Sequence, residues 1–491
     1  MSGPVVGGHL VLNLRCIGPF YRRVTGGTLP DVVLLEIFDF YLEEEYDKDY
    51  WHTLVHVCRR WRDVVFSSPH RLNLELLCKS GRPVTEILNI WPELPIIVFY
   101  NGYVKRDTNT DNIIAALKLK GSVSRISLTD TSSSGSRSVE WEKIVAVMQD
   151  PFPMLEDLTV RSCYDDMPLV ISDSFLGGSA PRLQNLWLEN VPFPKLSNLL
   201  LSATDLVRLD LWDIPHSGYI SPEAMVTCIS VLTRLKSLSL QFQSPRSRPD
   251  RAGQFLPPLT RSLLPALTDL EFKGVTEYLE DLVARIDVPL LKDTNITFFN
   301  YLVFDISQLP NLIRRTEKFT VLDQAYMRLE GDVISMILSP KVRTVGSPSV
   351  KLVVSCEKLD WQLSAFAQVC NLCLPTLPSL ERLSICNDHY PPPDWQDDME
   401  NTQWLELLHP FAAVKGLYLS KEVALHVASV LQELSEERVT EVLPALQDIF
   451  IDDLQPSGLV QEAFQKFVTT RGRQVSGHPV AIHSWMREKE W

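Results

Sequence analysis

A short pattern, L-x-x-L-x-[LVF], returns along most of the chain and constrains its fold more than any other feature. PMLEDLTV ends at Val160, PRLQNLWL at Leu188, TDLVRLDL at Leu211, TRLKSLSL at Leu240 and PALTDLEF at Phe272. Their first apolar residues, Leu155, Leu183, Leu206, Leu235 and Leu267, are spaced by 28, 23, 29 and 32 residues. LPSLERLSI, FAAVKGLYL and LPALQDIFI repeat the form, with Leu380, Val414 and Leu446 in the aligned place. Weaker copies lie at SVSRISL near Leu128, PLLKDTNITFF near Ile296, EKFTVL near Val321 and VKLVVS near Val353. One such unit cannot bury its apolar face alone, so the units must stack into a solenoid.

A period of this size, with apolar residues alternating along a short strand, matches a leucine-rich repeat whose strands stack in parallel. The expected solenoid runs over residues 120–455. Its units vary in length and show no clear asparagine ladder, which predicts an uneven horseshoe. Helices are expected between strands at WEKIVAVMQ, PEAMVTCISVL and KEVALHVASVLQEL. Loops are expected at TSSSGSRS, QSPRSRPDRAGQFLPP and NDHYPPPDWQDDMENTQ, which are rich in Pro, Ser, Gly or charge.

Strand side chains alternate with a period of two, so this pattern puts the leucines inside and the intervening residues on a concave surface. The outward set is Asp157, Thr159 and Arg161; Asn185, Trp187 and Glu189; Arg208, Asp210 and Trp212; and Asp269, Glu271 and Lys273. Trp187 and Trp212 read as occupants of the same position in neighbouring units. With Arg208 and Asp210 they form a candidate target-binding patch, since interface hot spots favour Trp and Arg. The competing reading covers these tryptophans with a loop or with long side chains.

Ahead of the repeats, residues 1–27 are Gly-rich and weakly patterned. A helix is then predicted from Pro30, with Thr28 as its cap and Val33, Leu34, Ile37, Phe38 and Tyr41 on one face. After an acidic turn, Leu54, Val57, Cys58, Trp61 and Val65 build a second apolar face, with Arg59, Arg60 and Arg62 mostly off it. LPDVVLLEIF followed by VCRRWRDVVFSSPHRL resembles an F-box, the helical module that docks the Skp adaptor of cullin-RING ubiquitin ligases. The resemblance implies that Leu29, Pro30, Leu34, Ile37, Phe38, Val57, Cys58 and Trp61 form the buried or adaptor-facing surface. The sequence departs from the F-box pattern in its long acidic spacer and in Leu72-Asn73, where many members have Leu-Trp. The alternative is an ordinary two-helix piece of a larger core, in which Phe38 and Trp61 pack on each other. An interface stripe would be exposed in the isolated chain, and a core stripe would not.

Taken whole, the chain is similar to the F-box proteins with leucine-rich-like repeats that are numerous in fungi. The expected architecture is mainly α F-box helices, followed by an irregular α/β leucine-rich-repeat solenoid with parallel strands. Its parts are a flexible segment at 1–27, the F-box at 28–77, a linker or first cap at 78–119, the solenoid at 120–455 and a cap and tail at 456–491. The function this implies is a substrate receptor that binds an Skp-type adaptor, through it a cullin, and an unknown protein target. The alternative is a repeat scaffold without ubiquitin transfer.

Composition narrows the partners further. A net charge of −14 disfavours a nucleic-acid backbone, whose binding rests on clustered Lys and Arg. The best basic patch is the loop cluster Arg246, Arg248 and Arg251, which reads first as a solvated loop, with an acidic or phosphorylated partner segment as the alternative. Nine scattered cysteines point to a reducing compartment, so cytoplasm or nucleus is expected. The start has no basic n-region, and no run of apolar residues reaches eighteen, so neither a leader nor a membrane span is expected. Cys370, Cys373, Cys386 and His389 have zinc-like spacing, but their repeat register favours buried structural cysteines, and no metal is expected. His409 and His426 read as structural. Phosphate loops, H-E-x-x-H and G-x-S-x-G are absent, so neither an enzyme nor a cofactor is expected.

Overall fold

The three apolar positions of each repeat become three buried columns. Leu155, Leu183, Leu206, Leu235 and Leu267 are buried in the turn that leads into each strand. Leu158, Leu186, Leu209, Leu238 and Leu270 then face one another strand by strand, as do Val160, Leu188, Leu211, Leu240 and Phe272. Each such side chain contributes about 1.5–3 kcal/mol when fully buried. A one-residue slip would turn a whole column to solvent, so these contacts fix the register.

The computed structural model describes the chain except residues 1–28, 44–50, 70, 73, 79–83, 85, 87–93, 102–109, 131–138, 164–170, 194, 250–259, 300–305, 332, 356–358, 375–378, 388–400, 433, 435–440, 455–457, 475–478 and 486–491. The strands in chain order are β1 (Leu76–Cys78), β2 (Ile96–Asn101), β3 (Val123–Asp130), β4 (Asp157–Ser162), β5 (Asn185–Glu189), β6 (Arg208–Ile214), β7 (Ser237–Phe242), β8 (Ser262–Leu263) and β9 (Asp269–Gly274). They continue as β10 (Ile286–Asp287), β11 (Asp293–Phe298), β12 (Gln324–Glu330), β13 (Val333–Ser339), β14 (Ser349–Ser355), β15 (Arg382–Asn387), β16 (Gly416–Leu419), β17 (Asp448–Asp452) and β18 (Ala481–Trp485). Among the described residues sixteen of them form one sheet, ordered β1-β2-β3-β4-β5-β6-β7-β9-β11-β14-β13-β12-β15-β16-β17-β18, and β8 pairs with β10 separately. The sheet therefore starts inside the expected 28–77 segment, so that segment is not purely helical. It also passes both ends of the expected 120–455 solenoid.

Pairing is parallel except at β13, which is antiparallel to both β12 and β14. The sheet is dominated by parallel pairs, as the repeats predict, and this hairpin is the exception. Its turn contains Gly331, whose φ of 54° suits glycine. The EKFTVL unit is also displaced: Glu317–Val321 is a 3-10 helix, and the strand follows at β12.

In place of an asparagine ladder, a backbone ladder joins the units just before each strand. Gln184 donates to Glu156, Val207 to Gln184, Lys236 to Val207, Thr268 to Lys236 and Lys292 to Thr268, at 2.7–2.9 Å. Left-handed residues follow β5 and β17 and interrupt β6 near its end. Asn190, Asp213 and Asp453, each seven residues past the leading leucine, have φ of 53°, 47° and 49°. Asn and Asp tolerate that conformation better than other side chains.

The three expected inter-repeat helices are present as Val139–Val147, Pro222–Ile229 and Lys421–Gln432. Ser221 caps the second, accepting from the Ala224 N–H at 3.3 Å, and Pro222 occupies the first turn. A longer-range cap links helix Thr276–Arg285 to helix Gln308–Arg315. The buried Glu280 carboxylate accepts from the N–H groups of Ser307, Gln308 and Leu309 at 2.7, 2.5 and 2.9 Å, and from the Ser307 hydroxyl at 3.1 Å. Burial nevertheless outweighs these bonds and raises its pKa above the ordinary value.

At the amino end, α1 (Asp31–Glu43), α2 (Trp51–Val57) and α3 (Arg59–Ser67) precede the sheet. The expected second helix is thus two. Cys58 is extended, with φ −160° and ψ 169°, and its thiol accepts from the Trp61 N–H at 3.5 Å to cap α3. The expected cap Thr28 lies outside the described residues. Trp51 ties α2 to the sheet by donating its indole N–H to the Glu75 carbonyl, just ahead of β1, at 3.0 Å.

Glu280→Ala would leave three backbone donors without their carboxylate acceptor, that of Leu309 buried and those of Ser307 and Gln308 part-buried. A loss of about 1–3 kcal/mol of stability is expected in chemical denaturation, with Glu280→Gln intermediate because its amide oxygen still accepts.

Candidate interaction surfaces

Two surfaces emerge, one on the amino-terminal helices and one on the face of the sheet opposite the buried columns. On α1, Leu34, Leu35 and Phe38 point into the core, while Val33, Ile37 and Tyr41, spaced by one turn, are exposed with Phe40. Ile37 is 46% exposed and Phe40 64%. Val57 at the end of α2 is 58% exposed, and Cys58 is exposed beside it. The eight residues of the F-box resemblance therefore divide. Leu34 and Phe38 are core, Trp61 and Leu29 are half-buried, and Pro30, Ile37, Val57 and Cys58 face solvent. Trp61 packs on Phe38, with ring centroids 4.8 Å apart. Arg60 holds α1 to α3 by donating to the Leu29 carbonyl and, at 2.7 Å, to the Asp31 carboxylate.

On the sheet, the expected outward residues of β4, β5, β6 and β9 do alternate away from the buried columns, but Asp210 is an exception with only 2% exposure. Burial raises its pKa, with Glu271 adding to the rise and Arg208, at 2.5 Å, opposing it. Trp187 and Trp212 do not share a repeat position. Trp187 is opposite Asp210, and Trp212 is opposite Glu189. They still touch, with ring centroids 4.9 Å apart and planes tilted by 49°. On the unbroken β5–β6 register they are diagonal neighbours on adjacent strands, a separation that large aromatic side chains can span.

Polar contacts order this patch. The Arg161 guanidinium lies 5.0 Å from the centre of the Trp187 ring while its Nε donates to Glu189 at 2.6 Å. Trp212 donates to the Ser239 hydroxyl, and Ser239 to Glu271, each at 3.0 Å. Asn295 donates to the other Glu271 oxygen at 2.9 Å. The Trp187 indole N–H is buried and has no acceptor among the described residues. Beneath Trp212, Phe193, Met225, Phe242 and Tyr278 help to line an apolar cavity of about 20 Å³, room for roughly one water.

The same face carries an aromatic stack that the sequence reading missed. Arg382 lies 3.8 Å from the Tyr418 ring centre, Tyr418 stacks on Phe450 at 4.3 Å, and Phe450 on His483 at 4.8 Å. His483 also meets Asp448 at 2.9 Å. A signal was present: Tyr418 and Phe450 each follow the leading apolar residue of their unit by four positions, as Trp187 does.

Cys370 and Cys373 are buried on helix Leu359–Cys373, and Cys386 is buried on β15, while His389 lies outside the described residues. Burial pushes the Cys373 thiol up to about 12 and Cys370 well above its usual value, so both are held as thiols. Arg246 and Arg248 are exposed, and Arg251 lies outside the described residues. His409 ends its helix at the surface, and burial lowers the pKa of His426. Among the described residues no helix is long and apolar enough to cross a membrane.

No family model and no curated protein matches the chain. Among solved structures it is similar to the leucine-rich repeat-containing protein LegL7 from Legionella pneumophila, at 12% identity and a TM-score of 0.27, covering 80% of this chain and 96% of that one. The repeat fold described above rests on strand register and column burial.

A raised carboxyl pKa in the folded state means that the native chain gains stability as pH falls through that pKa, and that charged Asp210 costs stability above it. Asp210→Asn is therefore expected to be the more stable protein at about pH 7, with the difference closing below about pH 4. Thermal unfolding at both pH values checks this.

Proposed function

We propose that this chain is a non-catalytic recruiting subunit. In this reading α1–α3 act as an F-box that docks an Skp-type adaptor and through it a cullin, and the open sheet face holds a protein target for ubiquitin transfer. The observation that carries the reading is the exposed apolar row Val33, Ile37 and Tyr41, with Phe40 beside it, on helices anchored to a rigid sheet. An unpaired row at helical spacing is the form in which a helix enters a partner's apolar groove. The subunit would contribute proximity, holding target lysines near a ubiquitin-carrying enzyme. It would act in the cytoplasm or nucleus, with neither nucleic acid nor membrane as a partner.

The scaffold reading has its own support. Leu34 and Phe38, with half-buried Trp61 against Phe38, are used by the chain's own core, which leaves fewer of the eight residues for an adaptor.

Co-purification with an Skp adaptor separates the two. Ile37→Asp and Val57→Asp are each expected to weaken adaptor binding about tenfold or more, a loss of at least ~1.4 kcal/mol, without lowering the unfolding temperature. Leu34→Asp is unsuitable, because it buries a charge in the core. If the native chain does not bind the adaptor, the ligase reading falls and the scaffold reading stands.

A further inference from the structure

Exposed apolar side chains gather on the rim of the sheet where β11 and β14 begin, on residues outside both surfaces described above. Leu290 precedes β11, Val321 ends the 3-10 helix ahead of β12, and Val342 and Val345 stand on the loop 340–348 that joins β13 to β14. All four are exposed, Val342 to 74% and Val345 completely. Contacts place them side by side. Lys318, one turn before Val321, donates its ammonium to the Leu290 carbonyl at 3.4 Å. The Lys292 ammonium lies 3.9 Å from the point where a side chain on Gly346 would start, next to Val345. The Lys292 carbonyl also accepts from the Ser349 N–H at 2.8 Å, at the start of β14.

The loop that carries the two valines is held in shape. The Ser347 hydroxyl accepts from the Thr344 N–H at 2.7 Å and lies 3.0 Å from the Thr344 hydroxyl. Gly346 makes the turn with a φ of 83°, in the left-handed region. Arg343 donates to the Ser339 hydroxyl at 3.1 Å. An ordered turn loses little further freedom on binding, so apolar side chains on it are ready for a partner.

Charge selects the partner. Loop 340–348 holds Lys341 and Arg343 and no carboxylate. Residues 288–293, 316–323 and 340–348 together carry Lys292, Lys318, Lys341 and Arg343 against Asp293, Glu317 and Asp323, in a chain whose net charge is −14. The Asp293 carboxylate accepts from the Ser349 hydroxyl at 3.0 Å. Among the described residues Lys292, Lys318 and Lys341 form no salt bridge. Ammonium groups around bare aliphatic side chains match a segment that offers carboxylates and aliphatic groups together. A lipid surface fits less well, because the four exposed side chains are aliphatic, with no tryptophan or phenylalanine among them to anchor at an interface.

We propose that this rim docks an acidic, aliphatic segment of a partner protein, with Leu290, Val342 and Val345 against its apolar side chains and Lys292, Lys318 and Lys341 against its carboxylates. The inference uses none of the residues assigned to the adaptor or to the open face, and it depends on neither reading.

The test uses the full chain and a displayed library of random peptides, depleted on the double variant Val342→Ser/Val345→Ser and then selected on the native chain. Peptides that survive are expected to combine Asp or Glu with Leu, Ile or Val, and to bind the native chain about tenfold more tightly than the variant in fluorescence anisotropy. Replacing their Asp and Glu by Asn and Gln should weaken binding about tenfold, a difference that shrinks at about 0.5 M salt. Both valines are exposed, so the variant should keep the native unfolding temperature. No surviving peptides, survivors without carboxylates, or binding unchanged by the amide replacement would overturn the proposal. So would sedimentation with anionic phospholipid vesicles, or self-association of the native chain, that the variant lacks, since these assign the rim to a lipid surface or to a second copy. Adaptor co-purification does not touch these residues, so failure of the ligase reading and failure of this site are distinguishable.

Discussion

Leucine stacked on leucine across neighbouring strands is the contact on which the rest of the molecule depends. Leu158, Leu186, Leu209, Leu238 and Leu270 are all nearly inaccessible and all in register. Once that column is set, the residues between its members have one direction left to point. Trp187, Asp210, Ser239, Glu271 and Asn295 therefore form a row across five strands without any dedicated scaffold. The apolar side sets where each polar group stands, and the polar side adds little to the fold.

Much of this was legible because the repeat writes its own register. Apolar residues at alternate positions located β4, β5, β6, β7 and β9, and the stretches WEKIVAVMQ, PEAMVTCISVL and KEVALHVASVLQEL located three helices between strands. What escaped was direction and local irregularity. The unit expected near Val321 proved to be a 3-10 helix, and the two strands that follow it were not anticipated, although Gly331 marks their hairpin. The break at Cys58 escaped for another reason. A helical period continues across a single extended residue, and only a capping thiol reveals the join.

The candidate site was legible in its members and not in its arrangement. Counting from the leading leucine puts Trp187 and Trp212 two places apart, and they touch as diagonal neighbours on adjacent strands, a contact that counting within one unit does not report. The burial of Asp210 was likewise invisible, since the position alternates outward and only the neighbouring side chains close over it. On α1 the division between Leu34 or Phe38 and Ile37 follows from where the sheet begins. Because β1 starts at Leu76, the first helices have a core to lean on, and one stripe is shared between core and solvent.

The hairpin of β12 and β13 has a consequence for how the molecule comes apart. In a solenoid that grows one strand at a time, each end can fray without disturbing the rest, since every unit touches only its neighbours. Here the chain leaves β11, passes over two vacant places to lay down β12, and fills the gap backwards with β13 and then β14. Unzipping from the carboxyl end can proceed strand by strand as far as β15. Beyond that point chain order and sheet order run against each other: β12 is then the edge strand, while β14, last of the three in the chain, is held between β11 and β13, so these strands cannot peel from the chain end one at a time. The joint therefore works as a rivet, dividing a gradual melt at the carboxyl end from a single cooperative step at the centre.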